Sequence, residues 1–155
     1  MLRSVSWLSV WVSVVGVVMA GCATHNEPRS LEGTSWRLVL IESMNDAQGS
    51  TPVPESDDFT VKFGDDGTAA FQLDCNSGSG SFEAEPTGDG ETGTLTFGPI
   101  ASTLMGCPGS AAGEDLSQQV GAALPHVRGY IFKGDQLHMS LMADGGILSW
   151  QPLQS

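Results

Sequence analysis

The sequence predicts a mainly β domain, a compact antiparallel β-barrel or sandwich of about eight short strands with one α-helix. Three observations carry this expectation. Apolar residues alternate with polar ones over short stretches, the period of a half-buried strand. Turn signals rich in Gly and Asp close most of those stretches within a few residues. One stretch alone, "EDLSQQVGAALPHV", carries apolar residues at helical spacing. It falls between the fifth and sixth strands, where a helix could close one end of a barrel.

The first strand lies in "TSWRLVLIE", where Trp36, Leu38 and Leu40 share a face. Met44–Asp58 is a loop rich in Pro, Asp and Ser. "FTVKF" then puts Phe59, Val61 and Phe63 on one side. "GDDG" at 64–67 is a hairpin turn, because Asp-Gly tolerates positive φ. "TAAFQLDC" continues the hairpin with Ala69, Phe71 and Leu73 inward. "LDCNSGSGSF" at 73–82 interrupts the pattern: Asn76 and the glycines are expected to turn, and a strand around Phe82 fades near Glu85. After the loop "PTGDGETG", the strand "TLTFGPI" places Leu95 and Phe97 together, and "ASTLMGCPGSAAG" is irregular. In the helical stretch acidic residues open the first turn, Leu116, Val120 and Leu124 share a face, and Pro125 stops it. "RGYIFKG", "DQLHMSL" and "GILSWQP" complete the chain as three short strands.

The N-terminus has a different logic. Arg3 supplies a positive start, Val5–Ala20 an apolar run, and small residues lead into Cys22. This is the layout of a secretory signal, and the run is shorter than the roughly 18 residues of a spanning helix. Met19-Ala20-Gly21-Cys22 resembles the lipobox of bacterial lipoproteins, which implies lipidation of Cys22 and cleavage before it. Acyl chains at about 0.8 kcal/mol per buried methylene would then anchor the chain without spanning the membrane. The expected organisation is a signal peptide over 1–21, a lipidated N-terminus and tether over 22–30, and one domain over 31–155.

The formal charge is −12, and loss of Arg3 with the signal leaves −13. Such a surface disfavours nucleic acid and anionic lipid headgroups as partners, since both would be repelled; its simplest role is solubility. Of the three histidines, His25 lies in the tether, His126 follows Pro125, and His138 is expected to face solvent. No Cys-x-x-Cys or His-x-x-x-His spacing occurs, so neither a metal nor a cofactor is expected. "GDDG" and "ADGG" lack the spaced carboxylates of a calcium loop. Glu83 and Glu85 share a strand face and, with Asp74, are the candidates for a hydrolase; a solvated face is the plainer reading. Cys75 has the acidic Asp74 beside it and no cation, which does not favour a reactive thiolate.

Three cysteines are an odd number for an exported chain. Lipidation of Cys22 leaves Cys75 and Cys107, and a disulfide between them would contribute roughly 3–4 kcal/mol in the chain-entropy model. Two buried free thiols are the alternative.

"LEGTSWRLV", "FGDDGTAAFQLDCNSGSGSF", "LTFGPIASTLMGCP" and "LHMSLMADGGILSWQP" together resemble the META domain family, whose bacterial members are called HslJ-like. Its pattern falls on Gly33, Trp36 and Leu38; on Phe63, Asp66 and Gly67; on Cys75, Asn76, Gly80, Ser81 and Phe82; and on Thr103, Met105 and Cys107. Asp74, Gly78 and Gly106 depart from it. The resemblance implies an antiparallel β-barrel-like domain with one helix and an envelope protein linked to stress or drug resistance; it does not imply a catalytic activity. The expected function is therefore a non-enzymatic, monomeric, lipid-anchored envelope protein, on the outer membrane facing the periplasm in a Gram-negative host. It would act through an envelope protein or a small hydrophobic ligand. The alternative is a pilot or carrier lipoprotein with a lipid or peptide tail in a cavity lined by Phe71, Phe97 and Met139.

Overall fold

The computed structural model describes residues 28–44, 49–106 and 111–153, with side chains omitted for 111–114. Cys22, His25 and Cys107 lie outside the described residues. The strands are β1 (Ser35–Glu42), β2 (Ser50–Pro52), β3 (Phe59–Phe63), β4 (Thr68–Leu73), β5 (Asn76–Thr87), β6 (Thr92–Phe97), β7 (Ala101–Ser102), β8 (Val127–Lys133), β9 (Gln136–Leu141) and β10 (Ile147–Pro152). The helix is α1 (Ala111–Ala123), followed by a 3-10 turn over Leu124–His126.

Eight strands form a closed antiparallel barrel in the order β1, β3, β4, β5, β6, β8, β9, β10, with β10 pairing back to β1. Closure removes most free edges and selects the barrel over the sandwich. Two short strands lie outside that ring. β2 extends the β3 side of β1, and β7 extends the β6 side of β5.

The barrel interior is filled. Phe63 meets Phe82 with ring centroids 4.9 Å apart, Phe71 meets Phe97 at 5.2 Å, and Trp36 meets Phe132 at 5.7 Å. Phe71, Phe97 and Met139 are all buried. An eight-stranded barrel is just wide enough for side chains to fill, and here they do. The helix caps one end by burying Leu116 and Val120 on the face its sequence spacing predicts, with Leu124 buried in the 3-10 turn beyond. Pro125 lies within that turn, so the regular helix ends at Ala123, and it begins at Ala111, ahead of the acidic pair.

The alternation expected for β1 holds only to Leu38. There β1 slips against β10: Leu38 opposes Trp150 and Leu40 opposes Ser149. Val39 is the extra residue of a bulge, and its carbonyl accepts the Val53 N–H at 3.0 Å. The phase therefore shifts, and Ile41 rather than Leu40 is buried.

The larger correction concerns 73–82. The turn is confined to Asp74 and Cys75, with Asp74 at φ 57°, and β5 begins at once with Asn76. Ser77, Ser79 and Ser81 face out, while Gly78 and Gly80 occupy the alternate, inward positions. Their missing side chains leave room for the chain between β6 and β7. A Cβ at Gly80 would stand 2.9 Å from the Pro99 carbonyl oxygen, and one at Gly78 would stand 3.1 Å from that of Ala101. Close backbone approach, not turn formation, explains these glycines.

The barrel end opposite α1 is covered by the first described residues. Leu31 is buried, and Arg29, within the expected tether, is already fastened: its guanidinium lies 3.9 Å from the Phe132 ring centroid and donates to the Gly134 carbonyl at 3.0 Å.

Candidate functional site

A dense polar cluster lies at the α1 end, where β4 turns into β5. Asn76 is buried, and its side-chain amide serves a segment far along the chain. Its Oδ1 accepts the Met105 N–H at 2.7 Å and the Thr103 hydroxyl at 3.1 Å, while Nδ2 donates to the Met105 carbonyl at 3.1 Å. The Thr103 N–H donates to the Ser77 carbonyl at 2.9 Å, continuing the β5–β7 ladder. On the other side the Ser117 hydroxyl of α1 donates to the Leu73 carbonyl at 3.0 Å. A cleft of about 430 Å³ opens between the two, with Asn76, Ser102–Gly106, Ser117, Gln118 and Gly121 in its walls. Leu104 stands on this rim 96% exposed and Met105 60% exposed, an unusual display of apolar surface.

A second, wider cleft of about 900 Å³ lies across α1, between Ala122, Ala123 and the turn at Met142–Gly145. Its nearby cation is tied down: the Arg128 guanidinium donates to the Pro125 carbonyl at 2.9 Å and lies 3.5 Å from Met142 Sδ.

Cys75 is half-buried beside Asn76, its Sγ 3.7 Å from the Met105 carbonyl oxygen. Glu83 and Glu85 are exposed on the outer face of β5, opposite Thr96 and Thr94 of β6, and line none of the clefts described above. Asp74 contributes backbone groups: its N–H donates to the Asp58 carbonyl at 2.7 Å and its carbonyl accepts from Gln72 at 2.7 Å. Among the described residues no group of three or more His, Cys, Asp or Glu is placed to hold a metal ion. Asp66 in "GDDG" hydrogen-bonds the Thr68 hydroxyl and accepts its N–H at 3.1 Å. The Thr68 hydroxyl, then its N–H, hold that carboxyl below its usual range, the signature of a turn lock.

His138 is half-buried rather than fully solvent-facing, its Nδ1 2.8 Å from the Oγ of buried Ser149. Burial, then the charge of Lys133, push its pKa down against an opposing pull from Glu42. His126 is exposed, 3.4 Å from Met142 Sδ. The site residues whose roles differ from the sequence reading are Asn76, expected in a turn, and Thr103 and Met105, given no role of their own. The motif resemblance contained all three, but pattern alone could not reveal that one side chain ties the other two.

The META domain family model matches residues 29–153. Three solved structures share the fold. An NMR structure of a protein from Burkholderia xenovorans superposes with a TM-score of 0.62 at 20% identity, covering 97% of this chain and 100% of that one. A second NMR structure gives a TM-score of 0.53 at 20% identity, over 77% of this chain and 89% of that one. A crystal structure of a DUF4847 family protein from Bacteroides vulgatus gives 0.50 at 15% identity, over 78% and 93%. No curated protein matches the chain.

Proposed function

Given that this chain belongs to the META domain family, we propose that it is a non-enzymatic, lipid-anchored binding protein of the bacterial cell envelope. The observation that carries this reading is the filled barrel beside an exposed apolar rim. Edge-to-face rings occupy the interior, so the surface free to meet a partner is outside, at the α1 end with Leu104 and Met105. The same packing leaves a carrier without the cavity that Phe71, Phe97 and Met139 would have to line. A hydrolase would need carboxylates converging in a cleft, whereas Glu83 and Glu85 stand exposed on the outer wall.

The anchor rests on Met19-Ala20-Gly21-Cys22, with lipid on Cys22 and an outer-membrane, periplasm-facing location in a Gram-negative host. Arg29 supports the arrangement, because it fastens the start of the domain at the end opposite α1. The membrane would then lie on one side of the barrel and the apolar rim on the other. A role in envelope integrity under stress, as a monomer, follows this reading.

A Cys75–Cys107 disulfide belongs to it as well. Asn76 pins Met105 next to Cys75, and Cys107 is two residues further on, within reach at about 3.5 Å per residue of the 4.4–6.8 Å that a disulfide needs between Cα atoms.

Fractionation after metabolic labelling with palmitate tests the anchor. Wild type should carry label in the membrane fraction, and Cys22→Ala should lose both label and membrane association. Equal labelling of Cys22→Ala would refute it.

A further inference from the structure

One strand edge remains open beside the helix, although the barrel itself is closed. Ser79 pairs with Ala101 and Gly78 with Ser102, and the Thr103 N–H bonds Ser77. Backbone groups in an antiparallel strand alternate between its two edges. Ala101 and Thr103 therefore turn theirs toward β5, and the Asn76 amide continues that ladder at Met105. Ser102 and Leu104 turn theirs the opposite way, where no backbone partner meets them among the described residues.

Higher on the same edge, the turn Leu124–His126 packs against β6. The cover stops below it, and Ser102–Gly106 become one wall of the 430 Å³ cleft, with α1 as the other. Gly121 keeps the helical wall low: a Cβ there would find only Leu73 Cδ1, at 3.9 Å.

These features specify a ligand. A row of unpaired N–H and C=O groups accepts an extended main chain, which would add as a strand. The local charge selects its side chains. No charged residue of either sign lines the cleft itself. Its surroundings are acidic, since Asp74 and Asp115 are each within three residues of lining positions, the backbone of Asp58 is hydrogen-bonded to that of Asp74, and the chain carries a formal charge of −12. Complementary charge favours a cationic partner.

We propose that the groove between Ser102–Gly106 and α1 binds an extended, cationic peptide segment of an envelope protein, paired as a strand to Ser102 and Leu104. This rests on the binding-protein reading above and names the class of partner.

The test uses the full chain purified in detergent and a fluorescein-labelled Lys-Val-Lys-Val-Lys-Val peptide, followed by fluorescence anisotropy and by hydrogen exchange of the protein. Saturable binding is expected, with slowed exchange at the Leu104 amide. Ser102→Pro removes an outward N–H and no native bond, so it should weaken binding about tenfold or more. Gly121→Leu fills the groove from the opposite wall and should do the same, which guards against a folding defect in the proline variant. A peptide N-methylated at alternate residues, and a Glu-Val peptide of the same length, should not bind. No binding up to about 1 mM would overturn the proposal. So would equal binding to both variants, or equal binding of the N-methylated peptide. A concentration-dependent dimer abolished by Ser102→Pro would assign the edge to a second copy and overturn it too. None of these results alters palmitate labelling at Cys22, so the two readings fail separately.

Discussion

Asn76 holds Met105 by both halves of its side-chain amide, Oδ1 accepting the Met105 N–H at 2.7 Å and Nδ2 donating to the Met105 carbonyl at 3.1 Å. A side chain at the start of β5 thus stands in for a strand neighbour and shapes the rim of the cleft.

Replacing it should loosen that rim before anything else. Asn76→Ala removes, among others, the hydrogen bonds to Met105 and Thr103 from a buried position and should cost about 2–3 kcal/mol in a urea unfolding series. Exchange at the Met105 amide should accelerate by more than the global loss explains. Thr103→Ala removes the bonds of an exposed hydroxyl, to Asn76 Oδ1 and to the Ser77 backbone, and should cost about 1 kcal/mol.

The glycines of β5 make an opposite-sign prediction. Gly→Ala inside a strand ordinarily stabilises by about 0.5–1 kcal/mol. Gly80→Ala should instead destabilise by about 1–3 kcal/mol, because the new methyl would meet the Pro99 carbonyl oxygen at 2.9 Å and Ile100 Cγ1 at 3.2 Å. Ser79→Ala, on the outward face, should stay within about 0.5 kcal/mol. Thermal midpoints of the two variants check the contrast; a stable Gly80→Ala would show that the crossing chain can move away.

Arg29 should behave as a latch, not as part of a tether. Arg29→Ala loses the contact with Phe132 and the bond to Gly134 and should cost about 1–2 kcal/mol. Glu91→Gln should change stability by less than about 0.5 kcal/mol, since that ion pair spans 3.8 Å between solvent-exposed groups. Proteolysis near residue 29 should speed up in the first variant alone.

His138 gives the pH dependence. Burial, then Lys133, lower its folded pKa below the ordinary 6.5. The unfolded chain therefore binds the proton more readily, and stability is complete above 6.5 and falls as the pH drops from there toward the folded value. Melting curves across that window should show a decline that His138→Gln flattens. An unchanged slope in the variant would assign the decline to carboxylates.

Much of the barrel was legible because its core residues advertise their period: Phe59, Val61 and Phe63, or Phe71 and Leu73, are buried where alternation puts them. The misreadings share one physical origin. At Gly78 and Gly80 the inward volume is supplied by Pro99–Ala101, from another part of the chain, so alternation in hydropathy vanishes although alternation in structure persists. At Val39 a bulge shifts the phase without any local residue signal. The docking of Arg29 depends on Phe132 and Gly134, and the cleft depends on Asn76 reaching Thr103 and Met105. Such long-range pairings cannot be read from neighbouring residues.

The most direct test is the non-reduced intact mass of the full-length protein recovered from bacterial membranes. The expected mass is that of a chain running from Cys22 to Ser155, increased by a diacylglyceryl group and an N-terminal acyl chain and short of two hydrogens for the Cys75–Cys107 bond. The mass of an unprocessed chain starting at Met1, or of a cleaved chain without lipid, would contradict the anchored envelope protein proposed here.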